Sequence, residues 1–224
     1  MGLGNKLLLS QATGYTVTFL LSLCVVVPLS INIKNFKGHC LFYTTGYFDN
    51  DGGYLRASWA SPSYCSFVLF VGIMMMVMSV IQVVRFSVFL FKGVDSSFLS
   101  AFLDTVINLL VTGFIFVASV IVTGGLHTWC NTVMQRFPSC DDAELLQIDE
   151  KDGIDTFGFY IQMGTVQFGS WSSWVCWVLL TVLSTCKLCR YHQEENIRIS
   201  MARERRRLLD PSQCPSYTNP AMAF

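Results

Sequence analysis

Charge is scarce in this chain. Only 13% of its 224 residues are charged, and the fifteen basic side chains are matched by fifteen acidic ones. That balance lacks the basic footprint that binding a nucleic-acid backbone requires, so no nucleic-acid partner is expected. Histidine is scarcer still: His39, His127 and His192 are far apart in the chain. No glycine-rich phosphate loop, metalloprotease helix or nucleophile elbow is present, so no catalytic site, cofactor or metal site is expected and the chain does not read as an enzyme. Asp149 to Asp155 misses the calcium-loop pattern, because Lys151 stands where an oxygen ligand is needed. N-glycosylation sequons are absent as well.

What is plentiful is apolar surface, with just over half of the residues hydrophobic. Four stretches are near the ~20 residues that cross hydrocarbon ~30 Å thick. They divide the chain into an N-terminus (1–13), spans at 14–33, 64–84, 98–126 and 169–188, connections at 34–63, 85–97 and 127–168, and a tail (189–224). The first span is too long for a signal peptide and lacks a cleavage site, so it reads as uncleaved. Basic residues stay on the cytoplasmic side during insertion. Lys6, Arg85, Lys92, Lys187, Arg190, Arg198, Arg203, Arg205, Arg206 and Arg207 all share one side if both termini are cytoplasmic. The fold class expected is an all-α membrane protein: a four-helix transmembrane bundle with both termini cytoplasmic and a small disulfide-braced extracellular β-hairpin layer.

The hairpin comes from Cys40 to Phe48 and Tyr54 to Ala60, two β-favouring runs separated by Asp49-Asn50-Asp51-Gly52-Gly53. With this topology, Cys40, Cys65, Cys130 and Cys140 face the oxidising side. Pairing Cys40 with Cys65 and Cys130 with Cys140 closes one loop within each connection, while pairing between the two connections stays open. Cys24 and Cys176 read as small apolar residues within spans. Cys186 and Cys189 lie at the inner end of the fourth span among basic residues and are palmitoylation candidates.

The third span carries polar residues at every fourth position, Ser100, Asp104, Asn108 and Thr112, joined on the same side by Thr105, Ser119 and Thr123. Such rows usually glue helices together, but an intramembrane carboxylate is also a functional-site candidate. Asp104 is ~9 Å by helical rise from the start of its span, a depth that Gln82, Arg85, Thr181 and Ser184 also reach. A buried polar cluster of Gln82, Arg85, Asp104 and Asn108 is expected, with Arg85 turned toward Asp104. Trp171, Trp174 and Trp177 read as anchors at the outer boundary. In the tail, Glu204 with Leu208 and Leu209 fits an acidic dileucine sorting motif read by clathrin adaptors, and Ile197, Met201 and Leu208 share a face beneath arginines that would suit anionic lipid. The end, Met222-Ala223-Phe224, has the form that a PDZ groove accepts.

Several strings together resemble a known family: VVVPLS at Val25 to Ser30, FKGHC at Phe36 to Cys40, SAFL at Ser100 to Leu103, WCNT at Trp129 to Thr132, Ser139-Cys140, and QFGSWSSW at Gln167 to Trp174. They look like the transmembrane protein 179 family, from the first span to the fourth. The resemblance implies a four-span membrane protein with cytoplasmic ends and brings no reaction with it. It also implies an amide where Asp104 stands here. A looser likeness to claudin-like tetraspans rests on span count and the β-rich first connection, without the claudin Trp and Cys signature. The expected role is an accessory, scaffold or trafficking partner of another membrane protein, at the plasma membrane or in endosomes. A small channel or transporter using the polar row of the third span is the alternative.

Overall fold

The computed structural model describes residues 3–48, 55–92, 98–145 and 154–209. The turn at 49–53, the acidic stretch at 149–153 and the terminal residues 222–224 lie outside them. Four helices account for most of the fold: α1 (Leu3–Asn35), α2 (Ser63–Lys92), α3 (Phe98–Val133) and α4 (Phe159–Leu209). Each contains a stretch long and apolar enough to cross a membrane. The helices overrun the apolar spans, most of all α4 with 51 residues, because hydropathy detects only the part that faces lipid.

A single rule describes what each helix buries. Along α3 the buried positions are Ala101, Asp104, Asn108, Val111, Ile115, Ala118, Val122, Gly125, Trp129 and Thr132, alternately three and four residues apart. The same alternation runs through α1 (Leu8, Gln11, Tyr15, Thr18, Ser22, Val25, Leu29, Asn32), through α2 from Cys65 to Phe86, and through α4 from Phe159 to Ser184. A repeat averaging 3.5 residues gives each helix a seam that faces its neighbours continuously only if the helices supercoil left-handedly. The result is an up-down-up-down bundle in which α1 packs on α2 and α4, and α3 packs on α4. Between α2 and α3 the contact is thinner.

At one end that gap is covered by a two-stranded antiparallel hairpin, β1 (Cys40–Phe48) and β2 (Leu55–Ala60), with Phe48 opposite Leu55 and Cys40 opposite Ala60. Register slips between Cys40 and Thr45, where Tyr43 adopts a left-handed φ of 61°. That conformation is rare for an aromatic residue, and it marks a β-bulge that re-aims side chains. Phe42 and Tyr43 point onto α3 at Gly124 and Gly125, where a Cβ added to Gly125 would lie 2.5 Å from Phe42. Only glycine permits this approach. Thr44 repairs the slipped ladder, its hydroxyl accepting from the Ala60 N–H at 3.3 Å and donating to the Cys40 carbonyl at 2.7 Å.

Two disulfides brace this end. Cys40 is bonded to Cys65 and Cys130 to Cys140. A Schellman cap stops α1: the Gly38 N–H donates to the Ile33 carbonyl and the Lys37 N–H to the Lys34 carbonyl. The third region beyond the spans is a short 3-10 turn at Asp141–Leu145.

Candidate functional site

The opposite end of the bundle, where α1 begins and α4 leaves, contains a polar layer drawn from all four helices. Arg85 of α2 makes a bidentate pair with Asp104 of α3, its second nitrogen 2.7 Å from Oδ2. The same guanidinium donates to Ser100 Oγ at 2.7 Å and to Gln82 Oε1 at 3.2 Å, while Gln82 Nε2 donates to Asp104 Oδ1 at 3.2 Å. Both oxygens of Asp104 are therefore engaged. Paired in this way, cation and carboxylate present lipid with a neutral unit, which is what makes an intramembrane charge tolerable.

One turn along α3, the Asn108 amide donates to Ser184 Oγ of α4 at 2.9 Å and accepts from the Tyr15 hydroxyl of α1 at 3.0 Å. Gln11 of α1 donates to the same Ser184 at 3.3 Å. A further turn on, the Thr112 and Thr181 hydroxyls meet at 3.2 Å. Aromatic rings fill the space between: Tyr15 stacks on Phe86 with centroids 5.6 Å apart and meets Trp177 edge-on at 5.7 Å. Arg85 also sits over Phe89 at 5.7 Å, and Lys187 over Phe86 at 5.6 Å.

The polar row of α3 is thus not a stripe facing one way. Steps of four residues advance ~40° around a helix at each step, so Ser100 to Thr112 sweeps ~120°. Ser100 and Asp104 meet α2, Asn108 meets α1 and α4, and Thr112 meets α4. A row that reads as one face in sequence works as a spiral of contacts. Higher up, Ser119 donates to its own helix at the Ile115 carbonyl, and Thr123 accepts from the Trp171 indole at 3.0 Å.

Gln82, Arg85, Asp104 and Asn108 are brought to one end of the bundle, with the first three in direct contact and Asn108 in a second, adjoining network. Thr181 does not join Asp104, and Ser184 reaches Asn108 instead. One of the three tryptophans, Trp177, needs correction as an anchor. Trp177 is fully buried against Tyr15, because it falls on the α4 seam, and Trp171 is tied to α3. Cys186 and Cys189 are free and exposed, Cys24 and Cys176 half-buried. Glu204 is exposed on the far part of α4, whose backbone ends at Leu208 and Leu209. Ile197 and Met201 are exposed on this same continuous helix, which runs on from the bundle as its extension.

Two residues that complete the layer, Gln11 and Tyr15, fall outside the cluster expected from sequence. Their signal is present in the first span: Gln11, Tyr15, Thr18 and Ser22 are spaced four, three and four apart, the seam alternation in polar letters. Thr18 pairs with Ser79 of α2 at 2.9 Å. Chemically, the layer can hold four helices in one register. No group of three or more metal-ligating side chains occurs among the described residues.

No solved structure matches the chain. The family model for the Transmembrane protein 179/179B Claudin domain matches residues 7–209, from the first turns of α1 to the end of α4, and the chain belongs to that family.

Proposed function

We propose that this tetraspan membrane protein is a non-catalytic scaffold, acting as an accessory or trafficking partner of another membrane protein. The observation that carries the reading is how the polar layer is used. Asp104 has both oxygens committed to Arg85 and Gln82, and Asn108 is committed to Tyr15 and Ser184. A side chain held on both sides inside the chain is suited to fixing helices rather than to passing ions or protons.

The parts available to partners lie elsewhere. Beyond Ser184, α4 continues for ~25 residues, ~38 Å by helical rise, as an arm with exposed Arg198, Arg203, Arg205, Arg206 and Arg207. Its basic character supports placing both termini in the cytoplasm. There Glu204, Leu208 and Leu209 would engage clathrin adaptors, the end of the tail a PDZ domain, and Cys186 and Cys189 would accept palmitate, as exposed thiols beside the membrane do. Exposed apolar residues run from Leu9 to Ile31 on α1, Phe70 to Phe91 on α2 and Ile161 to Val182 on α4. Each run covers ~32 Å along its helix, enough to cross a bilayer.

Purification from native membrane in mild detergent after proximity labelling should yield a membrane-protein partner in fixed stoichiometry. Recovery of the chain alone, with ion or solute flux through the purified protein that Asp104→Asn abolishes, would replace the scaffold reading with a transporter. Replacing Leu208 and Leu209 with Ala should raise surface residence, and unchanged trafficking would remove the sorting motif from the proposal.

A further inference from the structure

At the hairpin end of the bundle, three side chains on three helices share a level. Asn32 of α1 and Trp129 of α3 are 1% and 0% exposed. Asn32 Nδ2, Trp129 Nε1 and Gln162 Oε1 of α4 are buried and meet no protein partner among the described residues. Their common level follows from register. Gly169 lies against Cys24 and Val25, where an added Cβ would be 3.1 Å from each. Seven residues, two turns, separate Gly169 from Gln162 in one direction and Val25 from Asn32 in the other, so the antiparallel pair α1 and α4 brings Gln162 opposite Asn32. Just before α4 begins, the chain stays beside the end of α1, with the Asp155 N–H donating to the Asn35 carbonyl at 3.4 Å. From the third helix, Trp129 packs edge-on against Phe159, one turn before Gln162, at 6.3 Å.

We propose that this level binds one internal water molecule between Asn32, Trp129 and Gln162. The chemistry is complementary. Water accepts twice and donates twice; here two N–H groups need an acceptor and one carbonyl needs a donor. Direct pairing of Asn32 with Gln162 would still strand the indole N–H. Buried water typically makes about three such bonds and is part of the structure it occupies. At this site it joins α1, α3 and α4, while the Cys40–Cys65 disulfide secures α2.

The test uses the full chain in lipid nanodiscs with 15N-labelled tryptophan. The indole N–H of Trp129, assigned by the resonance missing in Trp129→Phe, should show a cross-peak to water with the sign of a long-lived contact. Absence of that cross-peak overturns the proposal. Asn32→Leu gives an independent readout. Removing one ligand of a bound water should abolish the Trp129 cross-peak and lower the midpoint of thermal unfolding by a few degrees, whereas removing an amide from a dry seam should raise the midpoint; a rise overturns the proposal. If Asn32→Leu does not fold, the cross-peak of the unmodified protein decides alone.

Discussion

The two ends of the bundle are held by different means. At the Asp104 end, helices meet through side-chain hydrogen bonds and an ion pair, with no covalent link among the described residues. At the hairpin end, two disulfides and a close aromatic approach onto Gly124 and Gly125 do the holding. The difference follows from the solvent. In hydrocarbon a hydrogen bond has no water to compete with it, and leaving it unmade is costly. In water a small hairpin is marginal, since it buries too little surface to hold itself, and cross-links that restrict the unfolded chain compensate.

The contrast can be broken at either end. The largest effect is expected from Asp104→Leu, which strands the part-exposed Arg85 guanidinium; losing one partner of a fully buried pair costs about 3–5 kcal/mol, the upper bound here. Thermal unfolding in detergent should show it, while Asp104→Asn should keep most of the stability by retaining hydrogen bonds to Arg85 and Gln82. Equal tolerance of both variants would mean that the pair holds nothing. Next is Cys40→Ser with Cys65→Ser, expected to cost ~2–4 kcal/mol. Hydrogen exchange should then speed up in β1 and β2 and leave the helix turns around Asn108 unchanged. Exchange rising at both ends together would merge the two regions into one cooperative unit.

Gly125→Ala sharpens the comparison within the hairpin end. A methyl group in contact with Phe42 forces β1 away from α3 at a cost of ~1–3 kcal/mol, read as a drop in midpoint; the nearest atoms are the Phe42 Cβ and Cα, so trimming its ring to alanine would not relieve it. The smallest effect belongs to Tyr15→Phe, which keeps the ring stack on Phe86 and deletes one hydroxyl. Interhelical hydrogen bonds in membranes average ~0.6 kcal/mol, so a midpoint shift beyond that scale would assign Tyr15 more than a bond to Asn108.

Much of this architecture was legible in the sequence for plain reasons. Four apolar stretches announce four helices because hydrocarbon admits little else, and the runs either side of 49–53 announce a hairpin through their residue types. Arg85 and Asp104 could be matched because the depth of each in its span follows from helical rise. The rest was hidden by specific causes. Tyr15 and Trp177 look lipid-compatible, so their place on the seam shows only when the alternation of three and four is followed through the whole helix. The bulge at Tyr43 goes with a long-range fit of Tyr43 to Gly124 and Phe42 to Gly125, which no local pattern encodes. Helix ends such as Phe159 were missed because residues 159–168 are less apolar than the span that follows.

The unbroken helix of α4 has a mechanical consequence. Its axis is set inside the bundle by Trp177, Leu180 and Ser184, while its far end stands ~38 Å away. A helix without a hinge behaves as a lever, so a tilt of ~10° at the polar layer would carry the tip through ~7 Å, somewhat more than the pitch of one helical turn. Whatever grips that tip senses the packing of the membrane domain as a change of position, and whatever pulls on it applies torque at Asn108 and Ser184.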